Sequence, residues 1–205
     1  MKKFICLIFV TIILISVTFA STTETISIGP GYGFGAEFTN DAQTVIHGPA
    51  IAFTGIAKFN NSKLALFADA AVGFPLEIIS DLGKVKRKDY NMLISLDAAF
   101  GLGYQSKLKN APLYSTTGIG LYINELGATT DYVGIVAFGF GGSLFVDLQY
   151  FFNDNWFVDF TLRDNFVFYN LSIIKTASGS NTVTNTDFGM YANAKIGVGY
   201  KFDFD

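Results

Sequence analysis

The stretch from Phe188 to Phe204 keeps a period of two for seventeen residues. Its even positions are Phe188, Met190, Ala192, Ala194, Ile196, Val198, Tyr200, Phe202 and Phe204, all apolar or aromatic, while the odd positions hold Gly, Tyr, Asn, Lys or Asp. Alternation at this period describes a β-strand with one oily and one polar face. Seventeen residues exceed the usual strand of a soluble domain, and about 9 to 11 tilted residues are enough to cross a bilayer. The stretch therefore predicts a transmembrane β-barrel whose apolar face meets lipid.

The amino terminus reads differently. Lys2 and Lys3 precede an almost wholly apolar run from Phe4 to Val17, and Thr18-Phe19-Ala20 supplies small residues where a signal peptidase inspects the chain. This pattern predicts a cleaved signal peptide over residues 1–20 and a barrel domain over 21–205. Cys6, the only cysteine, leaves with the peptide, so neither a disulfide framework nor a Cys-based site is available. Losing Lys2 and Lys3 takes the basic residues from 14 to 12 against 17 acidic ones, a net charge of −5. That balance argues against nucleic-acid binding. The chain is half hydrophobic, with 22 Phe and 10 Tyr, yet has no second apolar run long enough for a membrane helix. Its apolar side chains must alternate with polar ones, as they do in membrane barrels.

In chain order, a first strand from about Glu24 to Phe38 carries Gly29, Gly31, Gly33 and Gly35 on one face. Gly31, Gly33 and Ala36 fit a loose dinucleotide fingerprint, but no helical period follows, as that fingerprint requires. The glycines instead predict a thin inward face that makes room for neighbours' side chains. Thr39 to Gly48 reads as a polar connection, Pro75 to Asp89 as a long one, Asn124 to Asp131 as a medium loop and Asn170 to Thr186 as the last long loop. Between them lie short turns at Asn60 to Lys63, Ser106 to Pro112 and Asn153 to Asn155, and Gly141-Gly142 suits a bulge. The count is eight strands whose connections alternate long and short, the rhythm of an all-β, antiparallel up-and-down barrel with short periplasmic turns and long outer loops. Aromatic residues such as Phe59, Tyr104, Tyr150 and Trp156 gather at the short-turn end, where an interfacial girdle belongs.

The hairpin from Val146 through Asn153-Asp154-Asn155 to Phe160, and the closing strand Ile196 to Phe204, give the chain a resemblance to the small eight-stranded outer-membrane proteins of the OmpA, OmpX and OmpW kind. That resemblance implies a bacterial outer-membrane location and a carboxy-terminal assembly signal, here Tyr200, Phe202 and Phe204, read by the outer-membrane assembly machinery. Asp205 departs from the pattern by following the last aromatic residue.

Inward positions predict two charged levels inside the barrel: Asp69, Asp97, Arg163 and Lys195 near mid-height, and Lys58, Asp147, Asp159 and Lys201 nearer the periplasm. Each level holds two acids and two bases. An eight-stranded barrel is just wide enough for its side chains, and charges removed from water need partners, so the set reads as an ion-pair plug. The alternative is a gated narrow pore lined by the same residues, though rings of one sign are usual in selective pores. His47 falls in the first connection and Ser80-Asp81 in the second. They weakly resemble the histidine and serine or aspartate that certain lipid-modifying barrels carry at the outer mouth, but sequence spacing does not bring them within hydrogen-bond reach. One histidine and no mature cysteine give no metal site, and no cofactor is expected.

The sequence thus predicts a non-enzymatic barrel acting in surface interaction, adhesion or envelope structure through its long loops. The alternative is a narrow channel or hydrophobic small-molecule conduit. Expected partners are outer-membrane lipids, the assembly machinery and a host or envelope surface ligand, with no nucleic acid, and a monomeric barrel.

Overall fold

A computed structural model describes residues 22–38, 43–59, 62–80, 83–177, 179–185 and 188–203. The signal peptide expected over 1–20, and also Asp81, Phe204 and Asp205, lie outside the described residues. Eleven strands form one sheet: β1 Thr22–Phe38, β2 Gln43–Phe59, β3 Leu64–Gly73, β4 Glu77–Ser80, β5 Gly83–Lys86, β6 Met92–Lys107, β7 Leu113–Thr129, β8 Val133–Phe151, β9 Trp156–Thr176, β10 Gly179–Asn185 and β11 Phe188–Asp203. Eight of them close a barrel in the order β1-β11-β9-β8-β7-β6-β3-β2, and β1 pairs with β2 to complete the ring. Every pairing is antiparallel.

The stagger of the barrel follows from its register. Ladder partners that leave β1 at Ile26 pass through Gly55, Ala68, Phe100, Leu121, Gly142, Phe166 and Met190, and return to β1 at Ala36, ten residues further on. Eight strands with that stagger tilt by roughly 40–45° and enclose an interior that side chains can fill. Close contact is made possible by glycine. At Gly118 a Cβ would stand 2.7 Å from the ring of Phe67, which instead packs close to the bare backbone. Phe67 in turn stacks on Phe145 with centroids 4.3 Å apart. These rings, with Ile56, Tyr122 and Val167, make a buried core inside the barrel.

The outer wall is the opposite of a soluble protein's surface. Ile119 is 68% exposed, Ile196 65% and Leu121 60%, a band of apolar side chains that only lipid would cover. Aromatic girdles bound it. At the end carrying the short turns, Trp156 meets Tyr200 edge-on at 5.2 Å and Tyr200 meets Phe202 at 4.9 Å. At the other end Phe188 lies beside Phe166 and Phe168, and Phe140 beside Tyr169. By the rule that short turns face the periplasm, β1 starts and β11 ends on the periplasmic side, paired through Thr23 and Asp203.

The expected connections are largely corrected. β2 begins at Gln43, so most of the polar segment Thr39 to Gly48 is strand, and His47 sits in the β1–β2 ladder opposite Phe34. β7 runs on to Thr129 through the expected medium loop. The segment Asn170 to Thr186 holds the end of β9 and β10, joined as a hairpin, and Pro75 to Asp89 holds the β4–β5 hairpin followed by a single turn of 3-10 helix, Arg87–Asp89. The physical reason is shared. Above the membrane a strand needs no oily face, so residues such as Thr182, Val183 and Thr184 keep strand geometry without the alternation that marks a span. The bulge expected at Gly141-Gly142 appears as a register shift between Phe140 and Gly141 that leaves Phe168 unpaired. Leu96 has the outward parity of its strand but is only 7% exposed.

Candidate functional site

The interior carries a chain of charged and hydroxyl side chains that links seven strands. Arg163, from β9, contacts Asp69 Oδ1 of β3 at 2.5 Å, donates to the Asp69 carbonyl at 2.9 Å and pairs with Asp97 of β6. Its guanidinium also lies 5.7 Å from the centre of the Tyr122 ring. Below it, Lys195 Nζ of β11 donates to Ser27 Oγ and Thr54 Oγ1, both at 2.6 Å, and meets Asp159 Oδ2 at 2.7 Å. Three protons and three acceptors leave this ammonium fully used. Thr54 passes its own proton to Asp69 at 2.6 Å and so joins the two cations' networks. Thr161 Oγ1 stands 2.8 Å from Asp147 Oδ1 and 3.2 Å from Asp159 Oδ2; with a single proton it serves the nearer. Arg163, Lys195, Asp69, Asp147 and Asp159 are all buried.

Six of the eight residues predicted to form the lumen network thus come together, in two linked groups. The other two stand apart. Lys201 pairs with Asp203 at 2.9 Å near the periplasmic rim, and half-buried Lys58 makes no ion pair among the described residues. The charge balance changes accordingly. Four carboxyl groups stand with two cations among these six, whereas acids and bases balance only if Lys58 and Lys201 are counted with them. Asp147 Oδ2, Asp159 Oδ1 and Gln149 Oε1 accept no hydrogen bond. Ser27, Thr54 and Thr161 wire the network without standing out in the sequence, where their inward parity beside charged neighbours is the only signal. Of the assembly-signal residues, Tyr200 and Phe202 stand in the periplasmic girdle, and Phe204 lies outside the described residues.

At the outer end a second chain runs along the rim. Tyr32 Oη lies 2.6 Å from His47 Nδ1, His47 Nε2 lies 3.2 Å from Glu77 Oε1, and Lys84 Nζ reaches the same carboxylate oxygen at 2.6 Å. The β2–β4 ladder places His47 opposite Glu77. Lys84 above all holds the Glu77 carboxyl below its ordinary value; desolvation, the next-largest influence, opposes it, and His47 adds a smaller lowering effect. Ser80 does not join this chain, since its hydroxyl donates to the Gly83 carbonyl at 3.3 Å. His47 and Ser80 are therefore each engaged elsewhere, and they form no base and nucleophile pair.

No protein-family model and no curated protein matches the sequence. Solved structures do match the fold. OprG, an outer-membrane protein from Pseudomonas aeruginosa, aligns with a TM-score of 0.64 at 12% identity over 90% of this chain and 97% of that one. Neisserial surface protein A aligns at 0.58 and 12% identity over 87% and 97%. Ail, the attachment invasion locus protein of Yersinia pestis, solved with the heparin analogue sucrose octasulfate, aligns at 0.50 and 11% identity over 89% and 99%. The alignments span almost the whole of each partner, the ring of eight strands is the same, and the lipid-compatible wall fits it: the chain has the fold of the small eight-stranded bacterial outer-membrane barrels.

Proposed function

We propose that this protein acts at the cell surface as a binding or adhesion protein, through the hairpins that stand above its membrane band. The observation that carries the reading is the contrast between the two parts of the molecule. The lumen at and below mid-height is occupied by the Phe67, Phe145 and Tyr122 core and the Arg163 and Lys195 networks, which supports a plug over a conduit. The β4–β5 hairpin and the turn after it instead present Lys84, Lys86, Arg87 and Lys88 on an exposed surface, with Glu77 and Asp89 as the neighbouring acids.

Four exposed basic residues, two on the hairpin and two on the turn that follows it, suit a polyanion, such as a sulfated polysaccharide or the phosphorylated head groups of the outer leaflet. Ail was solved with a heparin analogue; for this chain the support is these basic residues themselves. The test is binding of the detergent-purified barrel to immobilised heparin. Retention that falls with salt and is lost in Lys86→Glu with Lys88→Glu is expected. Retention unchanged by those substitutions, or no retention at low salt, contradicts the reading.

A further inference from the structure

The outer half of the lumen holds a cavity. It lies above Arg163, measures about 60 Å³, and its wall contains Glu37, Asp97, Asn124, Asn165, Tyr191 and Asn193. Three of the amides in this wall, Asn124 of β7, Asn165 of β9 and Asn193 of β11, each keep a buried Oδ1 without a hydrogen bond. Their orientation is not arbitrary. Asn165 Nδ2 donates to the Tyr191 carbonyl at 3.0 Å, and Asn193 Nδ2 donates to Asp97 Oδ2 at 3.3 Å. Both partners can only accept, so the nitrogens must face them and the oxygens are the atoms left over. Asn165 is 1% exposed, which makes its spare acceptor a costly one.

Charge adds a second, independent constraint. Arg163, directly beneath, already faces two carboxylates, Asp69 and Asp97, and Glu37 brings another acid to the wall, its carboxylate accepting the Tyr191 hydroxyl. Among the described residues that line the cavity there is no Lys or Arg. Walls of low dielectric focus the resulting negative potential into the mouth. Tyr122 and Tyr191, with centroids 6.1 Å apart, supply aromatic surface there, and Tyr122 already carries the Arg163 guanidinium on its ring.

We propose that this mouth is a binding site for a compact organic cation bearing several N–H donors, of the guanidinium or alkylammonium class. Spare amide oxygens call for donors, the surplus of carboxylates calls for positive charge, and tyrosine faces favour a cation that can lie against them. An anion or an apolar solute would leave the oxygens unpaired. A bare metal ion is a poorer match, because among the described residues no three His, Cys, Asp or Glu side chains gather to hold one. The site uses the lumen mouth and is independent of the basic hairpin.

Guanidinium and its flat neutral isostere urea, titrated at equal millimolar concentrations into the full barrel in micelles and followed by NMR, test the assignment. Guanidinium is expected to shift the side-chain amide signals of Asn124, Asn165 and Asn193 saturably, and urea is not. Glu37→Gln should weaken the binding about tenfold or more, and Asn165→Leu should abolish it. Shifts that are absent, do not saturate, are matched by urea or survive unchanged in Glu37→Gln overturn the proposal. Should Asn165→Leu fail to fold, Glu37→Gln at the cavity wall still separates these outcomes.

Discussion

Arg163 reaches from β9 across the lumen to carboxylates on β3 and β6 while remaining 1% exposed. Removing it would leave Asp69 and Asp97 facing each other's field without a counter-charge. Breaking a buried pair from one side costs far more than replacing the whole set with apolar groups. Arg163→Met should therefore destabilise the barrel by about 3–5 kcal/mol in urea unfolding from lipid vesicles. Adding Asp69→Leu and Asp97→Leu should recover most of that loss. A cost below about 1 kcal/mol for the single substitution would mean that other groups already neutralise the two acids.

Among the elements, the β4–β5 hairpin depends on both ladder and charge. Its Glu77 carboxyl is held below its ordinary pKa of 4.5 chiefly by Lys84. A depressed folded pKa means that the contribution is complete above the ordinary carboxylate value and is lost as pH falls through the lower folded one. Protection factors of the amides in residues 77–86 should accordingly fall on acidification through that range in the wild type and stay flat in Glu77→Gln. Identical profiles for the two would show that the ladder alone holds the hairpin. The barrel strands offer a sharper test of facing. Ile119→Arg, on the lipid side, should cost about 2–4 kcal/mol, whereas Ser95→Arg, into the mouth, should cost much less. Equal costs would mean the faces are wrongly assigned.

The same elements show what is legible in the sequence. Where lipid lies on one side and packed side chains on the other, as in β11, β6 and β8, the chemistry of each position is dictated and the alternation can be read directly. Beyond the bilayer that dictation stops. His47, Glu125 and Ile173 lie on strands where the alternation no longer marks a face, and only cross-strand pairing reveals them as strand residues. Parity places Asp69, Asp97, Arg163 and Lys195 inside the barrel. Which acid meets which base depends on the ten-residue stagger of the ring, and no single strand contains that information. The imbalance of four carboxyl groups and two cations, and the spare oxygens of Asn124, Asn165 and Asn193, are hidden for the same reason.

For the whole molecule, the barrel is divided along its axis. Its lower and middle lumen is packed by aromatic rings and ion pairs, its mouth holds a cavity of mixed polar and apolar lining, and the β4–β5 hairpin with the turn after it carries basic residues beyond the membrane. A ring of eight strands has little spare width, so a continuous path would require Arg163, Lys195 and the stacked Phe67 and Phe145 to move together. Surface binding needs no such movement. The measurement that separates these possibilities most directly is the conductance of the purified, refolded protein in a planar lipid bilayer. A plugged barrel predicts no sustained openings in the wild type, with conductance appearing only when the plug is cut back, as in Arg163→Ala combined with Phe67→Ala. Large, steady openings by the wild-type protein would contradict a closed lumen and make transport, not surface binding, the function to explain.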